Sequence, residues 1–268
     1  MPPLFELRDV CFDYDGIPAL RELSLEIAQG ERVVLLGANG SGKSTLLRIL
    51  DGLYPPARGL LSFEGTPLTP DRLRDDGFAL PFRRRVALVF QNPDVQLFNP
   101  TVWDEVAFAP LQLRWPKEQL VARVDQTLEL MQIAHLRERP PYRLSGGEKK
   151  RVALASVIVL DPDVLLLDEP TAALDPRSQS QIIDLIQEWK GSAKTVIAAT
   201  HQLEIVEDIA DRILVMEEGH VAASGTPAEV LSNHELLLRA NLVHAHRHSH
   251  GGVTHSHPHV HSHAKHEH

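Results

Sequence analysis

The chain has 268 residues, with 27 Lys and Arg against 36 Asp and Glu, which gives a formal net charge of −9 when all 15 His are neutral. This length is enough for about two domains or for one large α/β domain. The negative net charge argues against a protein whose main role is to bind a nucleic-acid backbone, because such binding depends on clustered Lys and Arg. The single cysteine, Cys11, excludes a disulfide scaffold and indicates a reducing compartment.

Two further features concern secretion and membranes. The first residues, MPPLFELRD, lack a basic segment followed by an apolar one, so we expect no signal peptide. The longest mostly apolar run, Val152 to Leu160, is far shorter than the ~18 residues that a membrane-spanning helix needs. We therefore expect a soluble chain in the cytosol.

Strand-like and helix-like segments alternate along most of the chain. Residues 1–28 contain short β-like pieces, LFELRDVCFDY and ELSLEI, which predict an antiparallel flank. The apolar runs in 31–37 and 163–170 predict strands, and continuous apolar strands indicate a sheet that is covered on both faces. Segments with helical composition are Lys43 to Leu50, Arg177 to Lys190 and Gln202 to Ala210. This alternation favours βαβ units and an α/β fold.

The middle of the chain, roughly 92–157, predicts a helical insert in the α/β body. Four apolar residues of the segment 117–132 recur on one helical face: Leu120, Val124, Leu128 and Met131. Trp103 to Leu113 predicts a preceding helix, which Pro110 disturbs.

A glycine-rich segment satisfies the phosphate-loop pattern G-x-x-x-x-G-K-[ST], after a predicted strand and before a predicted helix. The candidate nucleotide-binding residues are Gly37, Asn39, Gly40, Ser41, Gly42, Lys43, Ser44 and Thr45. Glycines let backbone N–H groups turn inward, and the helix adds its positive N-terminal end. We expect Lys43 to reach the β- and γ-phosphates and the Ser44 hydroxyl to ligate Mg²⁺. The pattern predicts a P-loop NTPase core.

Two acids, Asp168 and Glu169, follow a predicted buried strand at its carboxyl end, where open α/β sheets bind ligands. Asp168 suits a direct or water-mediated contact with Mg²⁺, and Glu169 can orient and deprotonate the attacking water. Carboxylates buried near phosphates need a metal ion to offset their charge. A solvated acid pair at the end of a strand is the alternative.

The segment LSGGE (144–148) precedes a predicted helix, and by itself it reads as an ordinary N-cap. Together with the two nucleotide motifs, it resembles the signature of the ATP-binding-cassette (ABC) ATPases. Further residues match that family in chain order: Tyr14 where an aromatic ring stacks on adenine, Gln91 in the Q-loop, Ala173 to Asp175 in the D-loop, and His201 as the switch histidine. Taken singly, Tyr14 could be a core residue, Gln91 a loop residue and His201 a helix cap.

The resemblance implies a RecA-like P-loop core with an antiparallel β flank, within an ATP-binding domain of residues 1–243. It also implies that two cassettes, expected to be identical, pair head to tail. Each ATP would then be held by the phosphate loop of one chain and by Ser145, Gly146 and Gly147 of the other. Gln91 would help to ligate Mg²⁺, and His201 would hold the γ-phosphate and Glu169 in the relative position that hydrolysis needs. Hydrolysis would separate the two chains.

The segments 90–98 (FQNPDVQLF) and 101–108 (TVWDEVAF) resemble the ATPases of energy-coupling-factor type importers, although Val95 departs from the usual acidic or polar residue. In that group the Q-loop and the helical insert form a groove for coupling helices. The resemblance implies a transmembrane coupling subunit, a substrate-binding membrane subunit, and peripheral association with the cytoplasmic face of the membrane. We expect Asp94, Asp104 and Glu105 to pair with arginines on those helices. A solvated acidic surface is the alternative.

Residues 244–268 hold 11 of the 15 histidines and almost no large apolar residue, so we expect a disordered tail. Without paired cysteines and regular spacers it cannot form a fixed zinc site, but it can bind Ni²⁺, Co²⁺, Zn²⁺ or Cu²⁺ flexibly. The candidate ligands are His244, His246, His248, His250, His255, His257, His259, His261, His263, His266 and His268. An expression tag and plain disorder are the alternatives.

A metal-binding tail on an importer-like cassette indicates transition-metal uptake, and the resemblance is to cobalt and nickel importers (the CbiO and NikO kind). An importer ATPase for a different solute, such as a vitamin, is the main alternative. A nucleic-acid-processing cassette would carry long coiled-coil or zinc insertions, and a nickel-handling GTPase would carry an N-K-x-D motif. Neither feature occurs in this sequence.

Overall fold

The structure is a computed structural model that describes residues 2–250 and 253–259, with side chains described for residues 2–243. The strands are β1 (Phe5–Tyr14), β2 (Ile17–Ile27), β3 (Arg32–Leu36), β4 (Arg58–Phe63), β5 (Thr66–Pro67), β6 (Val86–Val89), β7 (Val164–Asp168), β8 (Thr195–Thr200), β9 (Arg212–Glu217), β10 (His220–Gly225), β11 (His244–His250) and β12 (Val253–His259). The helices are α1 (Lys43–Leu50), α2 (Pro70–Arg74), α3 (Asp76–Arg85), α4 (Val102–Gln112), α5 (Lys117–Leu130), α6 (Gly146–Ile158), α7 (Pro176–Glu188), α8 (Val206–Ile209), α9 (Pro227–Leu231) and α10 (His234–Arg239). Within this described part, no helix is both long and apolar enough to cross a membrane.

The largest sheet has six strands in the order β10-β9-β3-β8-β7-β6. Its neighbours from β9 to β6 are parallel, and β10 runs antiparallel to β9. Every residue of β3, β7 and β8 is buried, which confirms the prediction of a covered sheet from continuous apolar runs. The carboxyl ends of the parallel strands consequently meet at one edge of this sheet.

Each face of the six-stranded sheet has its own core, because successive residues of a strand point to opposite faces. Val34 and Leu36 of β3 belong to a cluster that contains residues of α4, α5, α6 and α7. Val33 and Leu35 belong to a second cluster with residues of α1, β1 and β2. The sheet therefore separates the helical insert from the antiparallel flank.

The flank is an antiparallel sheet of four strands in the order β2-β1-β4-β5. Its first two strands confirm the flank that we predicted for residues 1–28. The segment that contains β4, β5, α2 and α3 was not predicted. Helix α2 has no buried residue and α3 contains Pro81, so neither presents a clear apolar stripe in the sequence.

Helices α4, α5 and α6 lie between β6 and β7 in the chain and confirm the helical insert. The four residues predicted for the apolar face of α5 and its end are buried: Leu120, Val124, Leu128 and Met131. Pro110 lies inside α4, shortly before that helix ends at Gln112. The predicted helix at 202–210 is shorter, because a 3-10 turn at Leu203–Ile205 precedes α8.

The structure describes the backbone of part of the histidine-rich tail, residues 244–250 and 253–259, and the predicted disorder of the tail stays a prediction. Strands β11 and β12 pair antiparallel from His244↔His259 to His250↔Val253, as a two-stranded sheet of their own. Histidine alternates with other residues here, and a period of two is the period of a strand. Residues 251–252 and 260–268, and the side chains of all eleven candidate metal ligands, lie outside the described residues.

Candidate nucleotide-binding site

The phosphate loop connects the end of β3 to the start of α1. Gly42 precedes α1 with φ at 104°, in the left-handed region that favours glycine. A Cβ at Gly42 would lie 2.8 Å from the carbonyl oxygen of Ala19, so a side chain here would collide with backbone. The N–H of Leu46 donates to the Gly42 carbonyl oxygen at 2.9 Å and begins the helix. The close approach of β2 therefore sets the shape of the loop.

The ammonium group of Lys43 turns back onto the phosphate loop. Its Nζ donates hydrogen bonds to the carbonyl oxygens of Gly37 at 2.6 Å and Ala38 at 3.0 Å. Burial lowers the pKa of this amine, while the nearby carboxylates of Glu169 and Asp168 act in the opposite direction. The loop thus holds a buried cation beside two acids, at a place where phosphate oxygens can replace carbonyl oxygens as its partners.

Ser44 on α1 and Asp168 at the end of β7 are in direct contact. The Ser44 hydroxyl donates to Oδ1 of Asp168 at 2.9 Å. Burial raises the pKa of the Asp168 carboxyl, and the hydrogen bond from Ser44 acts against that rise. Hydroxyl and carboxylate oxygens are ligands that Mg²⁺ prefers, so these two residues fit a magnesium site.

Glu169 and His201 come from the ends of neighbouring parallel strands, β7 and β8. The N–H of Glu169 donates to the carbonyl oxygen of Ala199 at 2.9 Å, and Glu169 has φ at 47°. The Thr200 hydroxyl donates to Oε2 of Glu169 at 3.2 Å, and Nδ1 of His201 is hydrogen-bonded to Oε1 at 2.8 Å. Glu169 is only 4% exposed, and both of its carboxylate oxygens have a hydrogen-bond partner inside the protein.

A cavity of about 300 Å³ brings separately predicted motifs together. It is lined by Asn39, Gly40, Gly42, Lys43, Ser44, Gln91 and Glu169. The phosphate loop, the Q-loop and the acid after β7 reach this cavity from the ends of three different strands. The other predicted loop residues do not line the cavity. Ser41 and Thr45 are buried, and a Cβ at Gly37 would lie 2.5 Å from the carbonyl oxygen of Met216.

Tyr14, the predicted adenine-stacking residue, lies beside the start of α1. Its hydroxyl is 3.3 Å from the Thr45 hydroxyl and accepts a hydrogen bond of 3.3 Å from Arg48. Phe12 and Tyr54 pack edge-on against its ring, at centroid distances of 5.0 and 5.9 Å. Tyr14 remains 38% exposed, so part of its ring is open to a ligand.

The predicted signature residues lie at the start of α6. The hydroxyl of Ser145 accepts the N–H of Glu148 at 3.3 Å, and the Glu148 carboxylate accepts the N–H of Ser145 at 2.7 Å. This capping box gives Glu148 a structural task, and the bond from Ser145 lowers the pKa of the Glu148 carboxyl. Gly146 is the first residue of α6.

A second cavity, of about 400 Å³, lies at these signature residues. It is lined by Gln132, His135, Ser145, Gly147, Glu148, Arg151, Asp175, Arg177, Ser178 and Gln181. Asp175 of the predicted D-loop caps α7, and it accepts the Ser178 hydroxyl at 2.7 Å. None of these residues lines the first cavity. One chain therefore presents the two sets of nucleotide-motif residues at two different places.

Comparison with known proteins identifies the family. Residues 20–172 match the sequence model of the ABC transporter family. The chain belongs to the ABC transporter family. A curated relative, "Nickel import ATP-binding protein NikO" of Rhodobacter capsulatus, is 56% identical over 246 residues, which is 91% of this chain and 97% of that protein. "Energy-coupling factor transporter ATP-binding protein EcfA" of Methanothermobacter thermautotrophicus is 41% identical, over 89% of this chain and 76% of that protein.

Solved ABC structures share the fold. CbiO1 of Clostridium perfringens, described as part of the ABC transporter complex CbiONQ, is 37% identical with a TM-score of 0.75, covering 90% of this chain and 96% of that chain. A dimeric, post-hydrolysis structure of the ATP-binding cassette MJ0796 with ADP and Pi is 27% identical with a TM-score of 0.74, covering 83% and 98%. As a member of this family, the chain binds ATP and is an ATPase whose hydrolysis is coupled to transport.

Two residues of this ABC ATPase were missed as site residues. Lys150 on α6 is buried and donates to the carbonyl oxygens of Phe90 and Gln91, both at 3.1 Å. Thr200 is fully buried and holds Glu169. Lys150 lies in a charged run, KKR, that is typical of an exposed helix surface, and its burial depends on contacts with a distant loop.

The expected acidic partners for coupling helices are mostly engaged within the chain. Glu105 is 3% exposed, and its carboxylate accepts the N–H groups of Phe98 and Asn99 at 2.9 and 2.7 Å. Asp104 accepts the Thr101 hydroxyl at 2.7 Å in the first turn of α4. The prediction is therefore wrong for Glu105, because its buried carboxylate already binds two backbone N–H groups of the loop that precedes α4. Asp94 stays largely exposed, in an ion pair with Lys149.

Proposed function

We propose that this ATPase works as a pair of identical chains that close around ATP and power an importer of nickel or cobalt ions. The observation that carries the pairing is the division of nucleotide-motif residues between two cavities of one chain. Lys43, Gln91 and Glu169 line one cavity, whereas Ser145 and Gly147 line the other. A head-to-tail pair would bring the second set of one chain to the ATP held by its partner. The dimeric MJ0796 cassette supports this arrangement.

Within one site, we assign different tasks to the chain's own residues. Lys43 would exchange the carbonyl oxygens of the loop for oxygens of the β- and γ-phosphates. Glu169, which lines the cavity, would take a proton from the attacking water, and Thr200 and His201 would fix the orientation of its carboxylate. Tyr14 would stack its exposed ring on the adenine base.

Ser44 and Gln91, which line the first cavity, and Asp168, which is hydrogen-bonded to Ser44, would hold Mg²⁺, because their oxygens are of the type this ion prefers. When bound, the ion offsets the negative charge of the phosphates. The hydrogen bond between Ser44 and Asp168 already brings two of the three proposed metal ligands together.

The signature residues of the partner chain would complete each site. Gly146 and Gly147 present N–H groups of the first turn of α6, and a helix N-terminus favours an anion. The Ser145 hydroxyl donates to Glu148 at 2.9 Å, so it would have to turn from that carboxylate to the γ-phosphate. Loss of the γ-phosphate on hydrolysis would remove this bridge and separate the chains.

Complementation between two inactive variants tests the pairing. Lys43→Ala disables the phosphate loop and Ser145→Arg disables the signature, so each homodimer should be inactive. A mixed pair contains one site with an intact loop and an intact signature, and the mixture should recover activity. The matched control is Lys43→Ala mixed with Glu169→Gln, in which neither mixed site is intact because both residues act on the same chain's ATP. Equal rates in the two mixtures would contradict the proposal.

Two observations of different kinds support the proposal that the transported substrate is a metal ion. Relatives are described as a nickel import protein and as part of a CbiONQ transporter. The chain also carries eleven histidines in residues 244–268. Reconstitution with membrane subunits that co-purify with the chain, followed by ATP-dependent uptake of nickel and cobalt, is the decisive experiment. Uptake of a different solute, such as a vitamin, without metal uptake would favour the alternative importer, as the EcfA relative would allow.

An exposed apolar patch supports docking to a transmembrane coupling subunit. We define the coupling patch as Val95, Phe98, Phe108 and Leu111. Phe98 and Phe108 pack edge-on at 4.9 Å between ring centroids, yet both remain exposed. Exposed apolar groups of this kind are typical of a protein interface. Through that subunit, and with a substrate-binding membrane subunit, the chain would sit at the cytoplasmic face of the membrane.

We also propose that the histidine tail binds transition-metal ions for buffering or sensing. Imidazole ligates in its neutral form, so binding should weaken as the pH falls through about 6.5. Deletion of residues 244–268 should abolish most nickel binding, measured by equilibrium dialysis, and leave the ATPase rate unchanged. A truncated chain that binds nickel as well as the full chain would contradict this role.

A further inference from the structure

Histidine recurs at every second position along both strands of the tail. Strand β11 reads HAHRHSH over residues 244–250, and strand β12 reads VTHSHPH over residues 253–259. Successive residues of a strand belong to opposite faces, so the histidines of each strand share one face. The sequence between the strands is Gly251 and Gly252, and Gly-Gly is typical of the two-residue connection of a hairpin. The sequence pattern therefore indicates the same pairing as the described strands.

The register of the two strands places histidine opposite histidine three times. The cross-strand pairs are His244↔His259, His246↔His257 and His248↔His255. Residues that are directly opposite each other in an antiparallel pair lie on the same face, with Cβ atoms roughly 4.5–5.5 Å apart. The positions between them hold no histidine, so one face of the hairpin carries all three pairs. We call these six residues the histidine ladder.

Two neighbouring pairs of the histidine ladder bring four imidazoles to one place. Imidazole nitrogen is a ligand that Zn²⁺, Cu²⁺, Ni²⁺ and Co²⁺ accept, with bonds of about 2 Å. Positions two residues apart in a strand are separated by about 7 Å, so neighbouring pairs adjoin. The two outer pairs are about 13 Å apart, which is near the limit of imidazole reach for a shared ion. The central pair, His246 and His257, therefore belongs to both of the adjoining four-imidazole sets.

The hairpin needs a source of stability besides its own backbone. In the described part of the chain, β11 and β12 pair only with each other, and an isolated two-stranded hairpin is marginal at best in water. Val253 is the one large apolar residue of the two strands. An ion bound by both strands would stabilise the paired form, because a ligand shifts the equilibrium toward the form that binds it.

The first strand of the ladder starts directly at the body of the protein. Val243, the residue before β11, is 4% exposed and belongs to the core cluster that also contains Val230 and Leu237. The N–H of Leu242 donates to the carbonyl oxygen of Leu237 at 2.9 Å. One end of β11 is therefore anchored, which lowers the conformational entropy that the ion has to overcome when it joins the strands.

We propose that the histidine ladder is an ordered site for one divalent transition-metal ion, which two neighbouring cross-strand pairs hold. The inference rests on the metal-binding role proposed above for the tail and makes that role specific. A flexible tail would bind through any of its histidines, so its affinity would depend only on their number. In the histidine ladder, position decides the affinity, because the central pair is part of every adjoining four-imidazole set.

The test compares two double substitutions in the full-length chain that remove equal numbers of histidines. His246→Ser with His257→Ser removes the central pair. His244→Ser with His259→Ser removes an outer pair, leaves two neighbouring pairs, and is the matched control. Ni²⁺ is the probe, and isothermal titration calorimetry measures its Kd at a pH where imidazole is neutral.

For the outer-pair variant we expect a Kd about twofold above that of the wild type, because one four-imidazole set remains where the wild type offers two. The central-pair variant should bind Ni²⁺ at least about tenfold more weakly, since none of its remaining sets has four adjoining imidazoles. Equal affinities of the two variants would overturn the histidine ladder. Undiminished Ni²⁺ binding after deletion of residues 244–268 would instead overturn the metal-binding role of the tail, so the two failures are distinguishable.

Amide hydrogen exchange tests whether the ion closes the hairpin. Ni²⁺ should slow exchange in residues 244–250 and 253–259 of the wild type and of the outer-pair variant, because the paired strands protect their N–H groups. At the same Ni²⁺ concentration, exchange in the central-pair variant should slow much less. Tight binding of Ni²⁺ by the wild type without slower exchange in either strand would contradict an ordered site.

Discussion

Nδ1 of His201 lies 2.8 Å from Oε1 of Glu169, although the two residues are far apart in the chain. The register of the sheet produces this contact. Strands β7 and β8 are parallel neighbours in which Asp168 is paired with Ala199, so the residues that follow each strand emerge side by side. His201 therefore holds the carboxylate that we assign as the base.

The first prediction concerns that carboxylate. Glu169→Gln should keep ATP binding and lower hydrolysis by about 10²–10⁴-fold, because an amide can still position water but cannot take its proton. The variant should accumulate as an ATP-bound pair, detected by light scattering, while phosphate release is followed in parallel. Glu188→Gln, on the exposed end of α7, is the control and should have no effect. Normal phosphate release by Glu169→Gln would contradict the assignment.

The second prediction concerns the buried ammonium of the phosphate loop. Lys43→Ala should weaken ATP binding by about 10–100-fold, since hydrogen bonds to charged groups contribute roughly 1.5–3 kcal/mol. The loop carbonyl oxygens of Gly37 and Ala38 would also lose their donor. Titration with a fluorescent nucleotide measures the change, and Lys117→Ala at the exposed start of α5 is the control. An unchanged affinity would show that the loop does not bind the phosphates through Lys43.

Much of this site could be predicted from the sequence because its residues follow buried strands. Continuous apolar runs indicate parallel strands of a covered sheet, and the carboxyl ends of such strands lie at the same edge of the sheet. Lys43, Ser44 and Glu169 follow these ends, and they line one cavity. The burial of Lys150 could not be predicted, because its partners are carbonyl oxygens of a loop that only the tertiary structure brings near. The wrong expectation for Glu105 has a similar origin, since a side chain that turns inward to bind backbone leaves no mark in the sequence.

The third prediction tests an ion pair outside the site in which only the arginine is buried. Arg32 is 2% exposed, and its guanidinium forms two hydrogen bonds with Asp211, at 2.8 and 3.1 Å. Asp211→Asn should lower the free energy of unfolding by about 2 kcal/mol, less than the ~3–5 kcal/mol of a fully buried pair because Asp211 is 43% exposed. Urea denaturation measures this. Asp71→Asn, in a fully exposed pair with Arg74, should change stability very little.

The pH dependence of the same pair has a defined sign. The Arg32 guanidinium holds the pKa of the Asp211 carboxyl below its usual range. Because the folded-state pKa is depressed, the stabilisation is complete above the unfolded value of about 3.9 and is lost as the pH falls through the folded value. The stability difference between wild type and Asp211→Asn should therefore be constant from about pH 5 to 7 and shrink below about pH 4. A difference that grows on acidification would contradict the pairing.

The fourth prediction separates docking from hydrolysis. Phe98 is 67% exposed at the end of the loop that follows β6, and it packs on Phe108 of α4. Phe98→Ser should weaken binding to the membrane subunits by about 30-fold, because truncating a central aromatic anchor costs about 2 kcal/mol. The affinity of the chain for ATP should not change, since Phe98 does not line the nucleotide cavity.

The control for docking is an equally exposed apolar residue on the other side of the sheet. Ile17 is 72% exposed at the start of β2, in the antiparallel flank and away from the coupling patch. Because both substitutions remove exposed apolar surface, neither should destabilise the fold, and only Phe98→Ser should reduce recovery of the membrane subunits in a pull-down. If Ile17→Ser reduced that recovery equally, the effect would reflect general surface apolarity, and the coupling patch would have no specific role in assembly.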